Sequence, residues 1–207
     1  MDLVSKGKLF DETLISNRER QTRGHPMSVE PERPYSFDFA PTSLPKEFLE
    51  AIGLMSASWA NLDSTISNAI GGLLDIDSTM ALAITAHASL PQKFDQLKTL
   101  AHLKFGDESK QYQKILEYIE QAKSCQRKRN EVVHNAWCID TKTGKVHHVA
   151  MTARGKVKIQ IAAPTAEQVR LDAFNVNKLS LEIFMFLMDQ DLLPHLPPEF
   201  ETPEAEH

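Results

Sequence analysis

The sequence predicts a mainly α fold, an antiparallel bundle of about five helices with a small antiparallel β-meander inserted before the last of them. Three observations predict it. Apolar residues recur at alternating spacings of three and four for about seven turns, through Phe48, Ile52, Met55, Trp59, Leu62, Ile66, Ile70 and Leu73. Shorter stripes of the same period follow on both sides of a gap. In that gap, about residues 137–162, Val157, Ile159 and Ile161 alternate with Lys158 and Gln160 between two turn-forming stretches, and a period of two is the mark of a strand.

The long first helix is expected to start at Ser43 as N-cap, with Pro45 in the first turn, and to run to about Leu74, where Gly71-Gly72 reads as a stop. A short helix follows Asp77-Ser78 and carries Met80, Ala83, Ile84 and His87. Ser89-Leu90-Pro91-Gln92 has the form of a capping box, launching Phe94, Leu97, Leu100 and Ala101 and ending near Gly106. The fourth helix spans about Glu108 to Asn135 with Tyr112, Ile115, Ile119 and Ala122 inward. Then come Trp137-Cys138-Ile139-Asp140, a turn at Thr141-Lys142-Thr143-Gly144, a strand from Lys145 to Thr152, and a turn at Ala153-Arg154-Gly155-Lys156. The last strand is expected to pack through Val157, Ile159 and Ile161. Pro164-Thr165-Ala166-Glu167-Gln168 caps a final helix that faces inward through Val169, Ala173, Val176, Leu179, Ile183 and Phe186 or Leu187.

Residues 1–42 mix charge, Pro and Gly without periodicity and read as an irregular arm, from which Tyr35–Phe39 is free to pack on the body as an extended piece. The helical domain is placed at 43–191, and 192–207 reads as a loose acidic tail. With 207 residues, 42% hydrophobic and 25% charged, the chain has the composition of one ordinary globular domain. It contains no run of 18 apolar residues, so no membrane helix is expected. Met1–Lys8 lacks an apolar stretch of the kind that directs secretion, and Cys125 and Cys138 read as free thiols, so the expected location is cytoplasmic.

Net charge is −5, yet it is unevenly spread. Between Lys123 and Lys158 nine Lys/Arg stand against Glu131 and Asp140, a local +7 that leaves −12 elsewhere. Such a block is either a solvated face or a footprint for a polyanion. At its start lies Arg127-Lys128-Arg129-Asn130-Glu131-Val132-Val133-His134, which gathers guanidinium, amide and imidazole at the end of the fourth helix. A guanidinium holds phosphate oxygens through paired N–H donors, and an imidazole moves protons near neutral pH, which is what chemistry on a phosphodiester needs. At 100° per residue Asn130 and His134 lie about 40° apart, whereas Arg129 and His134 lie roughly 140° apart. Arg129 and His134 therefore meet only if a long side chain reaches across or a second molecule supplies the missing half. The bland alternative makes Arg129 a stem-buried bridge between helices and His134 a cap on the helix C-terminus.

Arg129, Asn130 and His134, in that order and at that spacing, resemble the Rx4-6H motif of the HEPN superfamily, in which a polar residue commonly follows the arginine. The aromatic-led strand after the motif, the first helix with Trp59 and Asp63, and Lys93-Phe94-Asp95-Gln96-Leu97 are also similar to small bacterial HEPN proteins, over about residues 46–190. Arg127 stands at permitted spacing too, and the order Arg129-Asn130 favours Arg129. The resemblance implies a metal-independent endoribonuclease in which two copies line one cleft. The ribose 2′-OH would attack its own phosphate, giving 2′,3′-cyclic phosphate and 5′-OH ends. It implies Arg129, Asn130 and His134 as catalytic residues, Arg127, Lys128 and Lys123 as RNA-binding cations, and Asp63 as polar support from the first helix. For Asp63 the alternatives are a hydrogen bond to the Trp59 indole or a position in solvent. The implied partners are RNA, a second copy and, as for some members, a nucleotidyltransferase antitoxin, in a toxin or phage-defence setting. The alternative within the same resemblance is a non-catalytic dimerising module, or one that binds nucleotide or protein.

No metal or cofactor is expected. Cys125, Cys138, His134, His147 and His148 form neither C-x2-C nor H-x3-5-H spacing, and His147 and His148 fall on opposite faces of a strand. No phosphate-loop lysine follows Gly71-Gly72, and neither a G-x-S-x-G elbow nor an H-E-x-x-H pair is present. His87 and His102 read as packing or surface residues.

Overall fold

A computed structural model of the chain describes residues 36–153 and 156–195. The order is β1 (Phe37–Asp38), a 3-10 turn (Pro41–Ser43), α1 (Lys46–Leu74), α2 (Ser78–Thr85), α3 (Leu90–Phe105), α4 (Lys110–His134), β2 (Ala136–Asp140), β3 (Val146–Thr152), β4 (Lys158–Ala162) and α5 (Ala166–Asp189). Among the described residues the fold is thus mainly helical, five helices with a small antiparallel sheet placed before the last.

α1 is the axis of the bundle, with α5 along most of its length and α2, α3 and α4 around it. Its predicted stripe is the core: Met55, Leu62, Ile66 and Ile70 are almost wholly buried, with Ile52 and Trp59 partly covered at its rim. Burying a side chain of this size contributes about 1.5–3 kcal/mol. Small residues let α5 approach, since Ala51, Ala69 and Ala173 are buried and the Thr65 and Ser180 hydroxyls share a buried hydrogen bond of 2.9 Å. On α5 the inward residues Val169, Ala173, Val176, Leu179, Ile183 and Leu187 are those expected.

Local sequence fixes most helix ends. The Asp77 carboxylate accepts from the amides of Thr79 and Met80 at the start of α2. At α3 the expected capping box is present, with the Ser89 amide donating to Gln92 Oε1 at 2.7 Å. The Thr165 hydroxyl accepts from the Gln168 amide at α5. α1 differs from expectation: Ser43 closes the 3-10 turn, and the N-cap is Pro45, which has no side chain able to accept a bond. α2 differs too, because it buries Ala81 and Thr85 while Met80, Ala83 and Ile84 face out. Eight residues make too short a helix for periodicity to assign its inner face.

Gly71-Gly72 does not stop α1, which runs on to Leu74 and ends at Asp75 in the left-handed conformation. The pair instead permits close approach. A side chain on Gly72 would collide with the Leu192 backbone, and one on Gly71 with Ala81. Residues 192–195, expected in a loose tail, are accordingly docked here. Leu192 is buried and the Ser78 amide donates to the His195 carbonyl at 3.0 Å. The rest of that tail and most of the arm, residues 1–35, lie outside the described residues.

The sheet runs β1-β2-β3-β4, all antiparallel. Its first strand is the extended piece foreseen near Phe37. β2 and β3 meet the helices through Trp137, Ile139 and Val146, which pack with Leu44, Phe48 and Ala166. The expectation that β4 packs through Val157, Ile159 and Ile161 is overturned: all three are exposed, because β4 is the edge strand, furthest in the sheet from that contact.

Asp140 secures the β2–β3 turn. Its carboxylate accepts from the Lys142 amide at 2.9 Å and the Thr143 hydroxyl at 2.8 Å, while Gly144 supplies the positive φ (69°) that the reversal needs. The Lys142 amide first, and then the Thr143 hydroxyl, hold the Asp140 carboxyl below the ordinary carboxylate range. A depressed carboxyl stabilises the fold above its unfolded pKa and loses that contribution as pH falls through its folded pKa. Asp140→Ala is therefore expected to melt below wild type at pH 7, with the gap narrowing below about pH 4. Melting curves across pH check this, and a gap constant with pH would refute it.

Candidate functional site

The site is built where α4 hands over to β2. α4 ends at His134, Asn135 turns into extended backbone, and the Trp137 indole Nε1 folds back to donate to the Val132 carbonyl at 2.8 Å. Phe48 packs on one side of that indole (centroids 5.9 Å apart) and His148 on another (5.6 Å). The helix end is therefore pinned to the sheet by an aromatic stack and a cap, and the side chains of its last two turns have a rigid base.

Arg129 is half-buried, and its guanidinium carbon lies 5.6 Å from the centre of the Trp59 ring on α1. This cation–π contact holds the planar fork in place across the helix interface. From there Nη1 donates to Asn130 Oδ1 at 3.1 Å and stands 2.7 Å from His134 Nε2. Arginine has no acceptor, so Nε2 is the acceptor here and the imidazole proton sits on Nδ1. The guanidinium Nε is shielded from solvent and lacks a hydrogen-bond partner among the described residues, a donor left unused by the fold.

The structure thus brings Arg129, Asn130 and His134 together within one chain, and the side-chain reach of arginine closes the roughly 140° that separates two of them on the helix. Arg127 and Lys128 are exposed, and it is Arg129, not Arg127, that contacts Asn130 and His134. Lys123 is exposed but already paired with Glu120 at 2.7 Å. A neutralised lysine adds less to a polyanion footprint than the formal +7 suggests.

Asp63, its side chain 41% exposed, makes an ion pair rather than a bond to the Trp59 indole. It accepts from Lys93 Nζ at 2.8 Å, and the same ammonium donates to the Ser67 hydroxyl at 3.1 Å. Lys93 is only 5% exposed, and a buried lysine needs such a partner. Asp63 is thereby committed to a bridge between α1 and α3, and none of its hydrogen bonds goes to Arg129, Asn130 or His134.

A second imidazole adjoins the helix end. Asn135 Nδ2 donates to His148 Nδ1 at 3.1 Å, which puts the proton of a neutral His148 on Nε2. His147, its neighbour in β3, lies against Phe37 on the other side. Among the described residues no three of His, Cys, Asp and Glu converge in a way that could hold a metal ion. Cys125 and Cys138 are unpaired, and burial raises both thiols, with Asp172 adding to the effect at the first and Asp140 at the second. Neither is primed as a nucleophile. His87 and His102 are exposed, the latter against Asp107. No described helix is long and apolar enough to cross a membrane.

Compared with protein-family models, curated proteins and solved structures, the chain matches none.

Proposed function

We propose that the chain is a HEPN-type endoribonuclease that acts as a pair of copies and cleaves RNA through Arg129, Asn130 and His134. The observation that supports this reading is the 2.7 Å approach of Arg129 Nη1 to His134 Nε2 at a pinned helix end flanked by exposed Arg127 and Lys128. In the free protein the guanidinium occupies the imidazole's acceptor. A phosphodiester offers that guanidinium a better ligand, two anionic oxygens, and its move onto them releases Nε2.

Nε2 then accepts the proton of the ribose 2′-OH as the oxygen attacks phosphorus. Arg129 balances the charge that gathers on the non-bridging oxygens of the phosphorane. The bond to the 5′-oxygen breaks, and that oxygen takes its proton from the His134 imidazolium formed in the first step. The products are a 2′,3′-cyclic phosphate and a 5′-OH. Asn130 keeps its amide N–H groups for the phosphate or the 2′-OH, and Arg127 and Lys128 attract the backbone. A role as toxin or defence effector, with or without an antitoxin partner, fits such an activity.

The same 2.7 Å contact also favours a second reading, because groups that satisfy each other without ligand serve equally in a non-catalytic binding or dimerising module. Incubating the full chain with a labelled single-stranded RNA and its all-DNA counterpart separates the two. Cleavage of RNA alone, with 5′-OH and cyclic-phosphate ends and a rate unchanged by EDTA, is expected. Cut DNA, 5′-phosphate ends or loss on chelation would overturn the mechanism, and binding without cleavage would favour the module.

A further inference from the structure

α5 has two apolar faces, and the fold uses one. Opposite the inward stripe, Leu171, Phe174, Leu181, Met185 and Met188 are each between 50% and 59% exposed, with Phe184 beside them. Together with Lys178 they recur at spacings of three, four, three, four and three. That alternation of three and four is the seam by which one helix packs lengthwise on another. Half-exposed side chains of this size present on the order of 100 Å² each, so the stripe offers about 600 Å². That is at the top of the range a monomer exposes, where patches often mark interaction surfaces.

We propose that this face binds α5 of a second copy, antiparallel, about a two-fold axis between Lys178 and Leu181. The choice of occupant rests on three features. First, the spacing reads the same in both directions, so that Leu171 falls opposite Met188 of the partner subunit, Phe174 opposite Met185 of the partner subunit, and Lys178 opposite Leu181 of the partner subunit. This is the self-complementarity a two-fold interface requires. Second, about 600 Å² from each copy gives about 1,200 Å² in all, the lower bound for a stable specific interface. Third, Lys178 sets the direction. A parallel pair in register would stack it on its own like charge, whereas the antiparallel pair sets its stem against leucine, with its ammonium near the seam-flanking Glu182 (3.6 Å within the chain).

The inference concerns assembly alone and stands on the features of this face, so mass measurement separates its failure from failure of the nuclease reading. Light scattering of the full chain at micromolar concentration is expected to give twice the 23.3 kDa of one copy. Phe174→Glu and Met185→Lys, each folded by circular dichroism, are expected to weaken association at least about 30-fold. Mixed together they are expected to restore the dimer, since the carboxylate introduced in one variant then meets the ammonium introduced in the other across the axis. A monomeric wild type would overturn the proposal, as it would if another segment of the chain covers the face. Dimers unaffected by either substitution would place the interface elsewhere, and failure of the mixture to associate would refute the antiparallel register.

Discussion

Arg129→Ala is expected to lower RNA cleavage by about 10²–10³-fold, the usual cost of removing a donor aimed at developing oxyanion charge. His134→Ala is expected to lower it by about 10²–10⁴-fold through loss of the proton shuttle. The double variant should be little worse than the more damaged single one, because a guanidinium and an imidazole that share one hydrogen bond and one transition state act as a unit. Neither change should unfold the chain. His134 is exposed, and Arg129 forfeits one cation–π contact over Trp59, worth about 0.5–2 kcal/mol. Arg129→Lys is expected to stay impaired, since an ammonium keeps the charge and loses the planar fork. Rates on a labelled RNA, read beside melting temperatures, check all four. Folded single variants that both cut at the wild-type rate would end the catalytic assignment.

The helices were legible in the sequence because each long one has a stripe that only one phase can bury. α1 and α5 show this residue by residue, through Met55, Leu62, Ile66 and Ile70 on one and Val169, Ala173, Val176 and Leu179 on the other. Periodicity was silent where two answers satisfy it. α5 has a second apolar stripe on its outer face, and β4 alternates well enough to suggest burial although no described residue buries it. The site was half legible. The motif and its place at the end of α4 follow from local sequence, but whether Arg129 reaches His134 depends on Trp59, seventy residues away, holding the guanidinium. The ion pair of Asp63 was not legible for a similar reason, since its partner is on α3. A signal did exist: Lys93 is in phase with Leu90, Phe94 and Leu97, and a lysine inside a core stripe calls for a buried counter-ion.

Gly72→Ala is expected to destabilise the fold by about 3 kcal/mol, with a melting temperature lower by about 6–12 °C. In an unobstructed helix the same change stabilises by roughly 0.5–1 kcal/mol, so the sign depends on what the new methyl meets. At Gly72 it meets the carbonyl of Leu192, a backbone atom with no rotamer to escape into. The chain from Leu192 to His195 must then lift away, giving up the burial of Leu192 and the bond from the Ser78 amide to the His195 carbonyl. Gly53→Ala is the internal control, because a methyl there has nothing within 4 Å and the residue is exposed in the same helix. It should melt at or above wild type. Equal melting of Gly72→Ala and wild type would mean that the 192–195 segment is not seated against α1. Trp59 lies about 20 Å back along the helix from Gly72, so well below the melting temperature the Gly72 variant should retain full cleavage, separating loss of stability from loss of the site.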